Sequence, residues 1–114
     1  MKYTQLNVFG NTANWPKVRY DYLLVLKQET SDLEALRPDI KFQDDHDDLD
    51  YVKVAALQSD SGNLYLLQRH RGCPGPGIYI LTPNGNLTTK FTECLEMLGL
   101  STADVTWKHD TITP

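Results

Sequence analysis

The residues around position 70 combine side-chain types from which an anion site could be built. Arg69, His70 and Arg71 precede Cys73 in the segment 69–77, which is rich in glycine and proline. Successive backbone N–H groups of a glycine-rich loop can face an anion, and arginine binds phosphate or carboxylate in a bidentate manner. Prolines lack the N–H group and no Gly-Lys-Ser/Thr sequence follows, so this is not a P-loop. The segment predicts either a plain connecting loop or a site for a small molecule or an anion.

Cys73 is the candidate nucleophile in this segment. The neighbouring arginines and His70 would favour its thiolate form, which is the reactive one. A Cys–His pair also needs hydrogen-bond geometry and an orienting group, and sequence spacing supplies neither. We therefore assign no catalytic residue. Cys94, in contrast, lies on the apolar stripe of a predicted helix, and we expect it to be a small buried hydrophobe.

An acidic cluster precedes the central part of the chain. Its five carboxylates within seven residues belong to Asp44, Asp45, Asp47, Asp48 and Asp50. Carboxylate oxygens are ligands for Ca²⁺, but an EF-hand loop starting at Asp45 would place Asp50 at the glycine position and Ala56 at the closing glutamate position. We assign no metal. Two interpretations remain, a solvated loop whose like charges guard a strand entrance, and a docking surface for a basic protein partner.

Composition limits the classes of protein to which the chain can belong. Its 114 residues are 40% apolar and 23% charged, as in ordinary globular domains. The net charge of −4 makes a nucleic-acid partner unlikely, and no apolar run approaches the roughly 20 residues of a membrane span. The two cysteines indicate reduced thiols, and the first residues lack the apolar region of a secretory signal. We expect a cytoplasmic protein without a membrane partner or a cofactor.

The central third of the chain predicts the framework for these residues. The segments 51–58, 64–70 and 78–81 are rich in β-forming residues and are separated by turn residues, which indicates a three-stranded antiparallel meander. Gly62 in the segment 60–63 is typical of a hairpin turn. Apolar residues at spacings of three, four and seven predict an amphipathic helix over 88–98, closed by Gly99.

The flanking segments are less regular. We predict strands over 3–9, 19–28 and 104–107, although 19–28 also has apolar residues at helical spacing. Ser31 and Glu34 form a capping-box pattern that begins a short helix near 32–37, and Pro38 ends it. The last seven residues, 108–114, have the composition of a polar tail that could be flexible.

The large aromatic residues allow two interpretations. We expect Trp15 and Trp107 to cover the core, with exposed anchors for a partner as the alternative. All six tyrosines fall on predicted strands: Tyr3, Tyr20, Tyr22, Tyr51, Tyr65 and Tyr79. They suit a half-buried sheet, and they could equally line an exposed face that receives a ligand or partner.

These observations predict a single α+β domain over 1–114. An antiparallel sheet of four to six strands would be packed on one face by the C-terminal amphipathic helix and the short helix. We expect a non-enzymatic protein-binding module of inhibitor, immunity or adaptor type. The alternative is a small-molecule or anion-binding protein, conceivably an enzyme, that uses the loop 69–73. Self-association into a homo-oligomer, through an uncovered strand edge or the tyrosine face, is a third hypothesis.

Overall fold

A computed structural model describes residues 3–6, 19–46, 51–70, 77–83 and 85–112. Within these residues it contains seven β-strands, two α-helices and one 3₁₀ turn. In chain order the elements are β1 (Tyr3–Leu6), β2 (Tyr20–Leu26), α1 (Thr30–Leu36), β3 (Gln43–His46), β4 (Tyr51–Ser59), β5 (Leu64–His70), β6 (Ile78–Pro83), α2 (Leu87–Leu98), the 3₁₀ turn (Thr102–Asp104) and β7 (Val105–Lys108).

The strands form one antiparallel sheet in the order β1-β4-β5-β6-β2-β7. The predicted meander is confirmed as β4, β5 and β6, and the α+β class is confirmed with it. The seven strands exceed the expected maximum of six because the beginning of the acidic segment forms β3. β3 and β1 share the outer edge of the nine-residue β4: Gln43 pairs with Val54, and Leu6 pairs with Ala56.

The ambiguous segment 19–28 forms a strand, β2. A β-bulge shifts its register between Tyr22 and Leu24, so that the consecutive Leu23 and Leu24 are both fully buried. This bulge interrupts the alternation expected of a strand, and it explains why the sequence also resembled a helix. Of the strand predicted over 3–9, the structure confirms Tyr3–Leu6, and the rest lies outside the described residues.

Helix α1 is present but begins differently from the prediction. The backbone N–H of Glu29, the N-cap residue, donates to the Asp32 carboxylate at 3.2 Å, so the capping pair is Glu29 and Asp32. The predicted pair of Ser31 and Glu34 is wrong. The Glu34 carboxylate instead accepts a hydrogen bond from the backbone N–H of Phe42 at 3.2 Å. The side chain of Glu34 therefore holds the segment that leads into β3.

Helix α2 confirms the predicted amphipathic helix. Its first turn is capped by the Asn86 side chain, which accepts from the Thr89 backbone N–H at 3.1 Å, and Gly99 ends it in the left-handed conformation with φ 72°. The stripe that it presents to the sheet is buried: Leu87, Phe91, Cys94, Leu95 and Leu98. Arg37, after α1, donates from Nε to the Leu98 carbonyl at 3.0 Å and so joins the two helices.

The C-terminal segment is packed against the domain as far as Ile112. Lys108 ends β7, and the backbone N–H of His109 donates to the Leu23 carbonyl at 3.0 Å. Ile112 is 4% exposed and belongs to the hydrophobic core. The polar tail predicted for 108–114 is therefore anchored over these residues. Neither helix in the described part of the chain has the length and apolar character needed to cross a membrane.

Candidate functional site

The sheet has one face covered by the helices, and the described residues place no helix on the other. Leu24, Leu26, Ile78 and Ile80 point into the core between sheet and helices. Because side chains alternate along a strand, their neighbours point to the opposite, open face. On that face the register sets Val25 between Tyr79 of β6 and Trp107 of β7, and Tyr22 beside Leu81.

An aromatic patch, formed by Tyr22, Val25, Tyr79, Thr106 and Trp107, occupies this face where the sheet ends. The Tyr22 and Tyr79 rings meet edge to face, with centroids 6.0 Å apart. Tyr22 is 51% exposed and Trp107 is 45% exposed. The five residues line an open depression of about 430 Å³. Its size is within the range of ligand pockets, and its lining is mainly apolar.

Trp107 therefore corrects the expectation that it covers the core. It lies on β7, the last strand of the sheet, where no described element packs over the open face. Its exposure agrees with the first part of the alternative interpretation, an exposed aromatic residue, and its use as an anchor for a partner stays a prediction. Trp15 lies outside the described residues. Of the three large hydrophobic side chains exposed in the described part of the chain, two, Tyr22 and Trp107, belong to the aromatic patch.

Asp104 fixes the start of β7. Its carboxylate accepts hydrogen bonds from the Ser101 backbone N–H at 2.9 Å and the Gln28 side-chain amide at 2.7 Å. Its carbonyl accepts from the Lys27 backbone N–H at 2.9 Å. These bonds to Ser101 and Gln28 lower the pKa of the Asp104 carboxyl, because they stabilise its ionised form. These hydrogen bonds hold the start of β7 next to the end of β2.

A second polar feature, the Glu93 cluster, joins α2 to the β4–β5 turn. Glu93 is 8% exposed and accepts hydrogen bonds from the Ser61 hydroxyl, from the Tyr65 hydroxyl at 2.6 Å and from the Asn63 amide at 3.0 Å. Burial raises the pKa of Glu93, but these donors outweigh it and lower the pKa to about 2. A buried carboxylate whose acceptor sites are filled by three side chains is suited to holding structure rather than to taking a proton from a substrate.

The predicted anion site is partly occupied by the protein itself. Arg69 Nε donates to Glu29 Oε2 at 3.1 Å, and Arg69 Nη1 donates to the His70 carbonyl at 2.7 Å. The other oxygen of Glu29 accepts from the Gly77 backbone N–H at 3.1 Å. Glu29 therefore bridges the end of β5 and the start of β6. Arg71 and Cys73 lie outside the described residues.

The acidic cluster is only partly described. Asp44, Asp45 and His46 lie in β3 rather than in the predicted loop. Asp44 stands opposite Lys53 of β4, with 3.2 Å between its Oδ1 and Lys53 Nζ. This cross-strand ion pair places opposite charges face to face where the acidic segment pairs with β4. The side chain of Asp45 and the whole of Asp47, Asp48 and Asp50 lie outside the described residues.

Sequence reasoning missed the Glu93 cluster, and it offered Tyr22, Tyr79 and Trp107 as possible exposed residues without predicting that they lie together in the aromatic patch. Glu93 was overlooked because its partners come from a hairpin that lies about thirty residues earlier. A signal existed, since Ser59, Ser61, Asn63 and Tyr65 give that hairpin an unusual number of side-chain hydroxyl and amide groups. The patch had no comparable signal, because its residues come from three strands whose order only the fold establishes.

No protein-family model, no curated protein and no solved structure matches this chain.

Proposed function

We propose that this protein is a non-enzymatic protein-binding module, of inhibitor, immunity or adaptor type, and that its aromatic patch is the docking surface. The observation that carries the proposal is the exposure of Tyr22 and Trp107 around one depression at the end of the sheet. Tyrosine and tryptophan dominate the energetics of protein interfaces, because each buries a large area and loses little conformational entropy.

The wider surroundings support docking of an apolar partner surface. Two rows of paired residues cross the strands at the patch. One row contains Gln68, Tyr79 and Val25, and the other contains Leu66, Leu81 and Tyr22. None of these side chains is charged, so a partner that covered them would not have to desolvate an ion. Interface centres in proteins are similarly depleted of charge, with polar groups kept to the rim.

The alternative, a small-molecule or anion-binding protein that uses Arg69, His70, Arg71 and Cys73, has less support. An anion would have to compete with the Glu29 carboxylate for Arg69, at a site where the arginine side chain is only 18% exposed. Displacing Glu29 would also remove the acceptor of the Gly77 N–H. We therefore place ligand recognition on the aromatic patch rather than on the loop 69–73.

The acidic cluster would contribute to association and not to the centre of the interface. Asp44 is 75% exposed, and its ion pair with Lys53 is open to water, so it is a weak interaction that leaves a negative field at this sheet edge. Such a field accelerates encounter with a basic partner. A cytoplasmic location belongs to the same proposal, and the free, buried Cys94 is compatible with a reducing compartment.

The test is quantitative capture of binding proteins from the cell in which the protein is made. We expect the double variant Tyr22→Ala/Trp107→Ala to capture at least tenfold less partner, because each substitution removes aromatic contact area. Leu36→Ala is the matched control, because Leu36 is 49% exposed but lies on α1, away from the patch. Equal capture by both variants would refute the patch as the docking surface.

A second variant tests the acidic cluster separately. Replacing Asp44, Asp45, Asp47 and Asp48 together by asparagine should slow association with a captured partner and flatten its dependence on salt concentration. The melting temperature should stay unchanged, because the Asp44–Lys53 pair is exposed. If the association rate and its salt dependence match those of the unmodified protein, a basic partner is excluded.

A further inference from the structure

We propose that β7 binds an extended segment of the partner by strand addition, with the partner strand lying along the outer edge of β7. Successive side chains of this strand would point to opposite faces of β7, so that apolar residues at alternate positions enter the depression at the aromatic patch and an acidic residue between them lies next to Lys108 at the other depression. The inference rests on the proposed function and gives the partner its chemistry.

The outer edge of β7 is the first observation. β7 is the last strand in the sheet order, and within the described ranges β2 is its one strand partner. An edge strand presents unpaired backbone N–H and C=O groups, which an extended peptide can pair with. This edge is short and irregular. β7 has only four residues, and its register against β2 shifts between Val105 and Trp107. Such features protect an edge against indiscriminate pairing, so a strand that pairs here has to match the irregular register of β7.

The second observation is that depressions flank β7 on both faces. The aromatic patch lies on one face, with its depression of about 430 Å³. The other depression, about 270 Å³, is lined by Phe91, Thr102, Val105 and Lys108. Thr106 and Trp107 line both. A strand added beside β7 directs successive side chains to alternate faces, so its odd and even positions would each meet one depression.

Charge supplies the third observation. The Nζ of Lys108 lies 5.8 Å from the centroid of the Phe91 ring, at the second depression. No ion pair joins Lys108 to a carboxylate of the residues that the structure describes. A cation held over an aromatic ring beside a depression of mixed polarity is complementary to an acidic residue of the partner strand. β7 is also held in place beforehand by Asp104 and by the His109–Leu23 hydrogen bond, which lowers the ordering cost of binding.

The experiment uses a displayed library of random linear twelve-residue peptides, selected on the full chain. We expect enriched peptides to carry apolar residues at alternate positions, which would face the aromatic patch, and Asp or Glu at a position between them, which would face Lys108. In a synthetic copy of the best peptide, methylation of single backbone nitrogens should abolish binding at every second residue across the β7 contact and leave it unchanged at the residues between. Loss with no such alternation, or no enrichment at all, would overturn strand addition.

Protein variants test this inference separately from the proposed function. Lys108→Glu should weaken binding of an acidic selected peptide at least tenfold, whereas Lys41→Glu makes the same charge change on an exposed residue outside β7 and should leave it unchanged. If the Tyr22→Ala/Trp107→Ala variant loses its partner but the peptides show no alternation, the docking surface stands and strand addition fails. Sedimentation at two concentrations adds one further outcome: self-association that Lys108→Glu abolishes would identify the occupant as a second copy and overturn a separate partner.

Discussion

In the Glu93 cluster polar side chains are buried away from water, whereas in the aromatic patch largely apolar side chains are exposed to it. At the cluster, a carboxylate and the hydroxyl of Tyr65 are buried, and their hydrogen bonds are made within the protein. At the patch, Tyr22 and Trp107 leave about half of their surface in water although they are largely apolar. The same residue type, tyrosine, is fully buried at one place and half exposed at the other.

This difference separates what stabilises the fold from what is available for binding. Burying a carboxylate is unfavourable unless hydrogen bonds compensate it, so the complete set of donors around Glu93 has a structural reason. Leaving aromatic rings in water forgoes hydrophobic stabilisation, and folding offers no reason for it. The binding role proposed above would supply the reason, because a partner would bury the rings. Substitutions in the two regions should therefore affect different properties.

The largest expected effect comes from truncating the buried tyrosine. Tyr65→Ala should lower the free energy of unfolding by about 4 kcal/mol, because it opens a cavity in the core and removes a donor from Glu93. Tyr22→Ala should lower it by less than about 1 kcal/mol, since Tyr22 is 51% exposed. Urea denaturation of both variants measures the contrast. Similar losses in the two variants would remove the distinction between the regions.

Acid should expose the contribution of Glu93. Its pKa is about 2 in the folded protein, against an ordinary value of 4.5, so the folded state favours the ionised form. The resulting stabilisation is complete above pH 4.5 and is lost as the pH falls toward 2. The pKa difference corresponds to about 3 kcal/mol, which should appear as a decrease in the free energy of unfolding between pH 6 and pH 2.

Glu93→Gln tests whether that acid dependence belongs to Glu93. Glutamine cannot ionise, so the part of the acid-induced loss of stability that is due to Glu93 should disappear. At neutral pH, the free energy of unfolding of this variant should fall toward that of the unmodified protein in acid. Glu96→Gln is the matched control on the same helix, because Glu96 is exposed and should leave the acid dependence unchanged. An unaltered acid profile in Glu93→Gln would mean that other carboxylates govern acid unfolding.

Local sequence patterns were sufficient for most of the framework. The stripe with Phe91 and Leu95 gave helix α2, and the turn at Gly62 gave the hairpin, because both depend on residues close together in the chain. Local patterns failed where residues that are far apart in the chain determine the structure. Nothing near Trp107 indicates that β7 ends the sheet, and nothing near Asp44 indicates that this segment pairs with β4 opposite Lys53.

The candidate site was less predictable than the fold for the same reason. Arg69 looked available in the sequence, but its partner Glu29 lies forty residues earlier and meets it only in the folded chain. The predicted cap at Ser31 failed on a smaller scale, because Glu29 and Asp32 offer the same residue spacing two positions earlier. Residue types indicate what chemistry is possible, and tertiary contacts determine which groups are already in use.

A smaller effect is expected when only one hydrogen bond leaves the Glu93 cluster. Tyr65→Phe keeps the ring but removes the hydroxyl that donates to Glu93 at 2.6 Å. The free energy of unfolding should fall by about 1.5 kcal/mol, and the pKa of Glu93 should rise because its ionised form loses a donor. Carbon-13 NMR titration of the Glu93 carboxyl measures the shift. An unchanged pKa would mean that the remaining donors, from Ser61 and Asn63, hold the carboxylate without Tyr65.

The smallest effect on stability should come from Trp107, and there the two regions differ most clearly. Trp107→Ala removes a side chain that is 45% exposed at the sheet end, so we expect a loss of less than about 1 kcal/mol in thermal or urea denaturation. Binding of a selected peptide should nevertheless fall at least tenfold, since Trp107 lines the depressions on both faces of β7. A larger loss of stability with unchanged peptide binding would reverse the assignment. Trp107 would then belong, with Tyr65, to the residues that hold the fold together.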